Sequence, residues 1–337
     1  MIQIQPTGFQ RVLRAKAPRA LLGTLALGLL LGGCEPSDEI TLGDWRRRSD
    51  FEGVARNGAA GFVVNGKAYL GTGTNYDNER LPDFWEYDAA RNIWTQKADF
   101  GGATRSGAVA FAAGGKGYLG TGLNENSERL ADFWEYDPAA NAWRRVADFA
   151  GTARRNAVAF GIGANGYVGT GFDGNYLKDF WRYDPAANAW TRISSYGGSK
   201  RLGASAFVID NVAYVTAGNN NGTPQDDLWA YDPATDTWTE KQDYGDNAIA
   251  RSYAVAFVVG GKGYLATGDG TNKVWEYSPT TDAWREMPQD FEGANRTNAI
   301  GFGIGSKGYV TTGGVGSAKL DDLWEFDPTL EYSDEDD

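Results

Sequence analysis

The sequence contains no histidine. That removes the commonest general base and the commonest transition-metal ligand. A single cysteine, Cys34, excludes an intrachain disulfide and a cysteine-based zinc site. Long apolar runs are missing as well. The best candidate, residues 20–30, falls short of the about 20 residues that a membrane-spanning helix needs. Positive charge is scarce: 32 Lys and Arg stand against 44 Asp and Glu, for a net −12. The first 33 residues hold Arg11, Arg14, Lys16 and Arg19 and no acid, so taking these four cations from −12 leaves −16 on the rest. Such a body repels nucleic acid and anionic lipid headgroups. Glycine and aromatics are plentiful, with 46 Gly, 12 Trp and 17 Tyr. This suits many short strands joined by tight turns, in one all-β domain despite the length of 337 residues.

The basic stretch and the apolar run end in Leu31-Gly32-Gly33-Cys34. An apolar residue, two small residues and Cys resemble the lipobox of bacterial lipoproteins. The alternative is a buried helix that happens to end in Cys. The resemblance implies a signal peptide over residues 1–33, lipidation of Cys34, and a lipidated tether over 34–41 that anchors the chain without spanning the membrane. Glu35 follows Cys34, where the inner-membrane retention signal known from enteric bacteria has Asp, so the outer membrane of the cell envelope is favoured. Ser37-Asp38-Glu39 loosely resembles the acidic export tag of surface lipoproteins in Bacteroidetes. The side of the membrane stays open.

One frame recurs six times: Arg, five residues, Phe, six residues, Tyr, then a Gly-rich stop. The arginines are Arg56, Arg105, Arg154, Arg201, Arg251 and Arg296. Successive Phe residues, from Phe62 to Phe302, lie 49, 49, 47, 50 and 45 apart. A second half follows: Trp, any residue, aromatic, usually Asp-Pro, then another Trp, as in Trp85/Trp94 and Trp134/Trp143. Six residues separate Tyr from the second Trp in Tyr87/Trp94, Tyr136/Trp143, Tyr183/Trp190, Tyr231/Trp238 and Tyr277/Trp284. This pattern resembles the Kelch repeat over residues 42–328. One departure is visible. The Kelch Gly doublet is mostly Thr-Gly or Ala-Gly here (Thr72-Gly73, Ala217-Gly218), and only Gly313-Gly314 is intact. A small residue plus Gly still permits the close turn.

The resemblance implies an all-β fold: a six-bladed Kelch-type β-propeller with four-stranded antiparallel blades. In one repeat the strands fall near 108–111, 117–122, 132–136 and around Trp143. Small residues in the first strand and large ones later suit blades that converge on an axis. The sixth repeat has Trp324 and Phe326 but Ser333 where its outer Trp belongs. Asp44-Trp45 and the residues through Phe51 match the segment 142–149. The N-terminal strand around Trp45 is therefore expected to complete the C-terminal blade, which removes the open edges of a linear stack. Residues 329–337 read as a disordered acidic tail.

Loops alternate between two faces. One face carries monotonous turns such as Asn65-Gly66. The other carries loops that vary between repeats, at 74–82, 123–131, 172–178, 219–225, 269–272 and 314–320, and variable loops are where function is added to a scaffold. The six arginines enter on this face. In Kelch adaptors of ubiquitin ligases, arginines at the matching position line the mouth that captures acidic peptides. The resemblance thus implies a cationic ring for a carboxylate or acidic ligand. Equally, each Arg can brace its blade against Asp83, Asp132, Asp179, Asp227 or Asp322, and both roles can hold at once. Tyr76 and Tyr176 on the variable loops join the ligand-binding candidates. The aromatics before each Arg (Phe51, Phe100, Phe149, Tyr196, Tyr244, Phe291) read as packing between blades.

No catalytic set stands out. Galactose oxidase shares the Kelch repeat, but its copper site uses two His and a Cys–Tyr crosslink, which a chain with no His and a lipidated Cys does not offer. Sialidases carry an Asp-box that is absent here. The periplasmic Kelch sialic-acid epimerase is a closer rival, and Glu79, Glu128, Tyr76 or Tyr176 could supply an acid–base pair for a sugar-acid isomerase. Asp173-Gly174-Asn175 and the loop 269–272 offer oxygens to Ca²⁺ without the spacing of a known loop, so turns suffice. The reading is a monomeric, non-catalytic cell-envelope module. Its protein or glycan ligand sits on the variable-loop face, it meets the membrane only through its lipid, and it uses no cofactor, metal or nucleic acid.

Overall fold

The computed structural model describes residues 42–244 and 250–332. The leader 1–33, the tether 34–41 with Cys34, and the acidic-tail residues 333–337 lie outside them. Six four-stranded antiparallel sheets form the blades. No helix occurs among the described residues.

Blade two shows how the sequence builds each sheet. The inner strand Val109–Ala113 alternates buried and half-buried residues: Val109, Phe111 and Ala113 pack into one interblade cluster, while Ala110 and Ala112 pack against the cluster of Phe62 and Tyr136 on the other side. Lys116–Gly120 follows through a tight Gly114-Gly115 turn, then Phe133–Asp137 and Ala142–Val146 at the rim. Inner strands crowd at the axis. A Cβ on Gly161 would overlap the Ala112 carbonyl, and one on Gly303 the Val258 carbonyl. Small residues are required there. Between blades, Phe62 fills the space above Gly117, as Phe111 does above Gly166.

The Tyr-to-Trp spacing has a mechanical reason. The Tyr136 hydroxyl donates to Asn141 Oδ1 (2.8 Å) in the outer turn. The same oxygen accepts the Ala98 amide of the preceding blade, and the Trp143 indole donates to the Ala98 carbonyl. One residue of the neighbouring blade is thus held at both backbone groups. The latch repeats at Tyr87/Asn92/Trp94 on Ser49, and at Tyr183/Asn188/Trp190 on Ala147. Asp236 and Asp282 serve as the turn acceptors in blades four and five. All five turn residues adopt a left-handed φ between 48° and 54°, which Asn and Asp tolerate better than other non-glycine residues.

Closure is as the sequence implied. Leu42–Arg47 pairs antiparallel with Leu323–Glu331, placing Trp45 opposite Phe326, and completes the sheet of Ile300–Ile304 and Lys307–Thr311. Trp45 is 1% exposed, 4.9 Å from the Phe291 ring and 4.8 Å from Phe326. The closing strand also corrects the boundary of the tail. Leu323–Glu331 runs on to pair Glu331 with Leu42, so residues 329–331 belong to the propeller. Pairing with a partner strand overrides the local acidity there.

Two backbone rings tie the blades together on the variable-loop face. Gly58, Gly107, Asn156, Gly203, Tyr253 and Asn298 each donate their amide to the next carbonyl round the axis, at 2.8–3.2 Å, closing on themselves. Outside it, the second residue of each doublet donates to the Arg carbonyl of the adjoining blade, from Gly73 to Arg105 O and so on round to Gly313 and Arg56 O, so that the sixth doublet is Thr312-Gly313 and not the expected Gly313-Gly314.

Candidate functional site

The structure places the six arginines inside the blade walls. Arg56, Arg105, Arg154, Arg201 and Arg251 are 0% exposed, and Arg296 is 1%. Five of the guanidinium groups meet an aspartate fork on fork at 2.5–2.9 Å: Asp83, Asp132, Asp179, Asp227 and Asp322. Nε donates to the carbonyl two residues back, as Arg105 does to Ala103. Nη1 also donates to the first doublet carbonyl, Thr121 in that blade. The preceding aromatic covers the cation, with Phe100 4.7 Å from Arg105 Cζ. The Trp two residues after each aspartate donates to it, as Trp134 does to Asp132. All three nitrogens of such a guanidinium are engaged within its own blade.

Burial alone would push these carboxylates up. The hydrogen bonds and charge of the arginines outweigh it and hold Asp83, Asp132, Asp179 and Asp322 below the usual carboxylate range. The cationic ring implied by the adaptor resemblance is corrected accordingly: these side chains brace the blades and present no surface for a ligand. Blade five differs. Lys273 stands where the others have aspartate, and Arg251 Nη1 donates to the Lys273 and Thr267 carbonyls. Burial pushes the Arg251 guanidinium below its usual value, against the opposing charges of Tyr244 and Glu286.

The two tyrosine candidates part company. Tyr76 stands 71% exposed at a loop tip. Tyr176 packs edge-on to Phe172, with ring centroids 5.3 Å apart, and lines a groove of about 710 Å³ between the loops of blades three and four. Leu177, Trp181, Lys178, Arg192 and Lys200 share its wall. A neighbouring hollow continues the groove past Phe172 to Asn220 and Thr223. The hairpin of Asn219–Asn220 with Thr223–Pro224 forms that far side. Arg129 and Arg155 lie over the Phe172 ring at 5.3 Å and 5.5 Å. Among the described residues, Arg129, Arg155, Lys178, Arg192 and Lys200 make no ion pair. Five cations outside any ion pair thus gather around two aromatic rings, with Asp173 and the Arg154-paired Asp179 in the same wall. Sequence reasoning missed all five because it followed residues that recur. These do not, and their irregularity within the variable loops was the available signal.

The remaining acid–base candidates hold their own loops. Glu79 accepts from Asn75 and donates its amide back to the Asn75 side chain, and Glu128 does the same with Asn124. Asp173 accepts the Asn175 amide and the Thr152 hydroxyl, which is turn bracing. Those hydrogen bonds keep its carboxyl below the usual range despite the upward push of burial.

A second hollow, about 300 Å³, sits at the channel mouth on the same face. Its floor is the inner ring of hydrogen bonds. Asn57, Ser106, Arg155, Asn156, Tyr253 and Asp269 are among its walls. Beyond it the channel narrows between alanines and glycines and opens on the opposite face among the inner-strand side chains.

The comparisons agree with this architecture. The model of the KLHDC2/KLHL20/DRC7 Kelch-repeats domain matches residues 48–218, and that of the Kelch motif matches residues 200–243. Among solved structures, the chain is similar to the one titled "Structure of YjhT", with a TM-score of 0.70 and 15% identity over 82% of this chain and 95% of that one. No curated protein matches the chain. With the family model covering half of the chain and the repeats completing six closed blades, the protein belongs to the Kelch-repeat family.

Proposed function

We propose that this Kelch propeller is a non-catalytic interaction module of the cell envelope, held at its membrane by a lipid on Cys34, that docks an acidic segment of a partner protein in the groove between blades three and four. Kelch propellers commonly mediate protein interactions, and the family supports that much. The observation that carries the finer reading is the cluster of Arg129, Lys178, Arg192 and Lys200, free of ion pairs among the described residues, around Phe172 and Tyr176. Cations without local partners leave their charge available to a ligand. The aromatic rings add a contact surface at little entropic cost. With a tether as short as 34–41, about 25 Å when extended, the propeller would work close to its membrane.

The test is fluorescence anisotropy with a labelled peptide rich in Asp and Glu around a central Trp, beside its Asn/Gln counterpart. Binding of the acidic peptide should weaken steeply with salt, and the Lys178→Glu/Lys200→Glu double variant should bind about tenfold more weakly or worse. Equal binding of both peptides, or no loss in the double variant, would overturn the reading.

A further inference from the structure

Arg155 and Asp269 line the same polar cavity at the channel mouth, yet they make no ion pair with each other. Tyr253 lines the cavity with them. It occupies a ring position that holds Gly58, Gly107 and Gly203 in three blades and Asn156 and Asn298 in two. All six residues have left-handed φ, and Tyr253 has 56°. An aromatic residue there carries a conformational cost that Gly does not. Its ring lies against Gly203, where a Cβ would come within 2.8 Å of it. Its hydroxyl accepts from Asn156 Nδ2 at 3.4 Å, two blades away. Tyr253 therefore reaches from blade five to blade three and lines both the mouth cavity and the channel hollow beside it.

Both charges act on that phenol. Burial raises its pKa most, the Arg155 charge lowers it and the Asp269 charge raises it. Asp269 is also oriented, because the buried Ser252 hydroxyl bonds to one of its oxygens. A cavity lined by a cation and an anion that do not pair with each other complements a ligand bearing both charges. A ligand with one charge would leave the other wall uncompensated.

We propose that the mouth cavity binds a small zwitterion, a free α-amino acid, with its carboxylate on Arg155 and its ammonium group on Asp269. Asn57, Asn156 and Ser106 supply neutral donors and acceptors for the remaining polar atoms. The volume suits a ligand of that size. This site goes beyond the groove reading, and Lys178, Arg192 and Lys200 belong to the groove and not to the mouth.

Isothermal titration of the full chain with glycine, L-serine, L-glutamine and L-phenylalanine tests it, each beside its N-acetyl and carboxamide forms. At least one free amino acid should bind, and both blocked forms of it should bind at least about tenfold more weakly. Arg155→Gln and Asp269→Asn should each remove binding at an unchanged melting midpoint. The Lys178→Glu/Lys200→Glu variant should keep amino-acid binding while losing the acidic peptide, which separates the two sites. Heat from none of the four amino acids overturns the proposal, as do blocked forms that bind equally well. The ligand panel uses the native chain, so its result holds even where a variant misfolds.

Discussion

Arg105 and Asp132 meet with Nη1 2.9 Å from Oδ1 and Nη2 2.7 Å from Oδ2, beneath the ring of Phe100. The arginine is fully buried and the aspartate 19% exposed. Removing the aspartate strands a buried cation, which costs more than the pair itself contributes. Asp132→Ala should lower unfolding free energy by about 3 kcal/mol or more. The exposed pair of Arg145 and Asp148 gives the control, and Asp148→Ala should cost less than about 1 kcal/mol. Urea denaturation of both variants decides it. A small, equal effect would mean that the arginines do not brace the blades.

The pH dependence follows from the same carboxylates. Asp83, Asp132, Asp179 and Asp322 are held below their ordinary values in the folded chain, as are Glu86 and Glu276 beside Lys67, Tyr69, Lys262 and Tyr264. A lowered folded-state pKa stabilises the fold above the unfolded value and is lost as pH falls through the folded one. The melting midpoint should therefore decline as pH drops below about 4. The tyrosines act at the other end. Burial, helped by the charges of Glu86 and Glu135, raises Tyr136 and Tyr183 to about 12. A raised pKa stabilises below the unfolded value near 10 and is lost above it. Thermal melts should show a second decline between about pH 10 and about pH 12. A midpoint flat across both ends would contradict the assignment.

Trp45 closes the ring from the far end of the chain. It sits in one cluster with Phe257, Phe291 and Phe326. Trp45→Ala should cost about 3–5 kcal/mol through the cavity it leaves. Deleting residues 41–52 should cost more, because a strand ladder goes with it. An unchanged melting midpoint in the deletion would show that the sixth blade closes some other way.

The blades were legible in the sequence because each carries the same spacings. Tyr136, Asn141 and Trp143 sit at fixed distances along the chain, since one turn residue must reach both the tyrosine and the neighbouring blade. Trp45 could be placed because it matched a period. Burial was not legible for the arginines. A recurring Arg on a loop face reads equally as a ligand ring or a brace, and only the depth of the side chain and the Phe100-type cover decide between them. The groove and the mouth were harder still. Their residues, Lys200, Tyr253 and Asp269 among them, come together from loops of different blades, and even where the position recurs, as at Tyr253, the residue type does not. Repetition reveals the scaffold, while binding surfaces arise where repetition breaks.

The doublet shows a break of another kind. Thr121 has φ +61°, and Thr72, Thr170, Thr267 and Thr312 share that left-handed conformation. Their hydroxyls are buried without a hydrogen-bond partner among the described residues. Each site thus carries a β-branched side chain in a region that costs about 1–2 kcal/mol, plus an unsatisfied oxygen. The backbone groups are fully used: the Thr121 amide donates to the Asp132 carbonyl and its own carbonyl accepts from Arg105. Thr121→Gly keeps those bonds and removes both penalties, against an unfolded-state cost of about 0.5–1 kcal/mol for the added glycine. It should stabilise the fold by about 1 kcal/mol. Thr121→Val keeps the strained φ and removes only the hydroxyl, so its gain should come from the oxygen alone. Urea midpoints of the two variants separate strain from desolvation. A Gly variant less stable than wild type by more than its unfolded-state cost would show that the threonine side chain packs well enough to offset both.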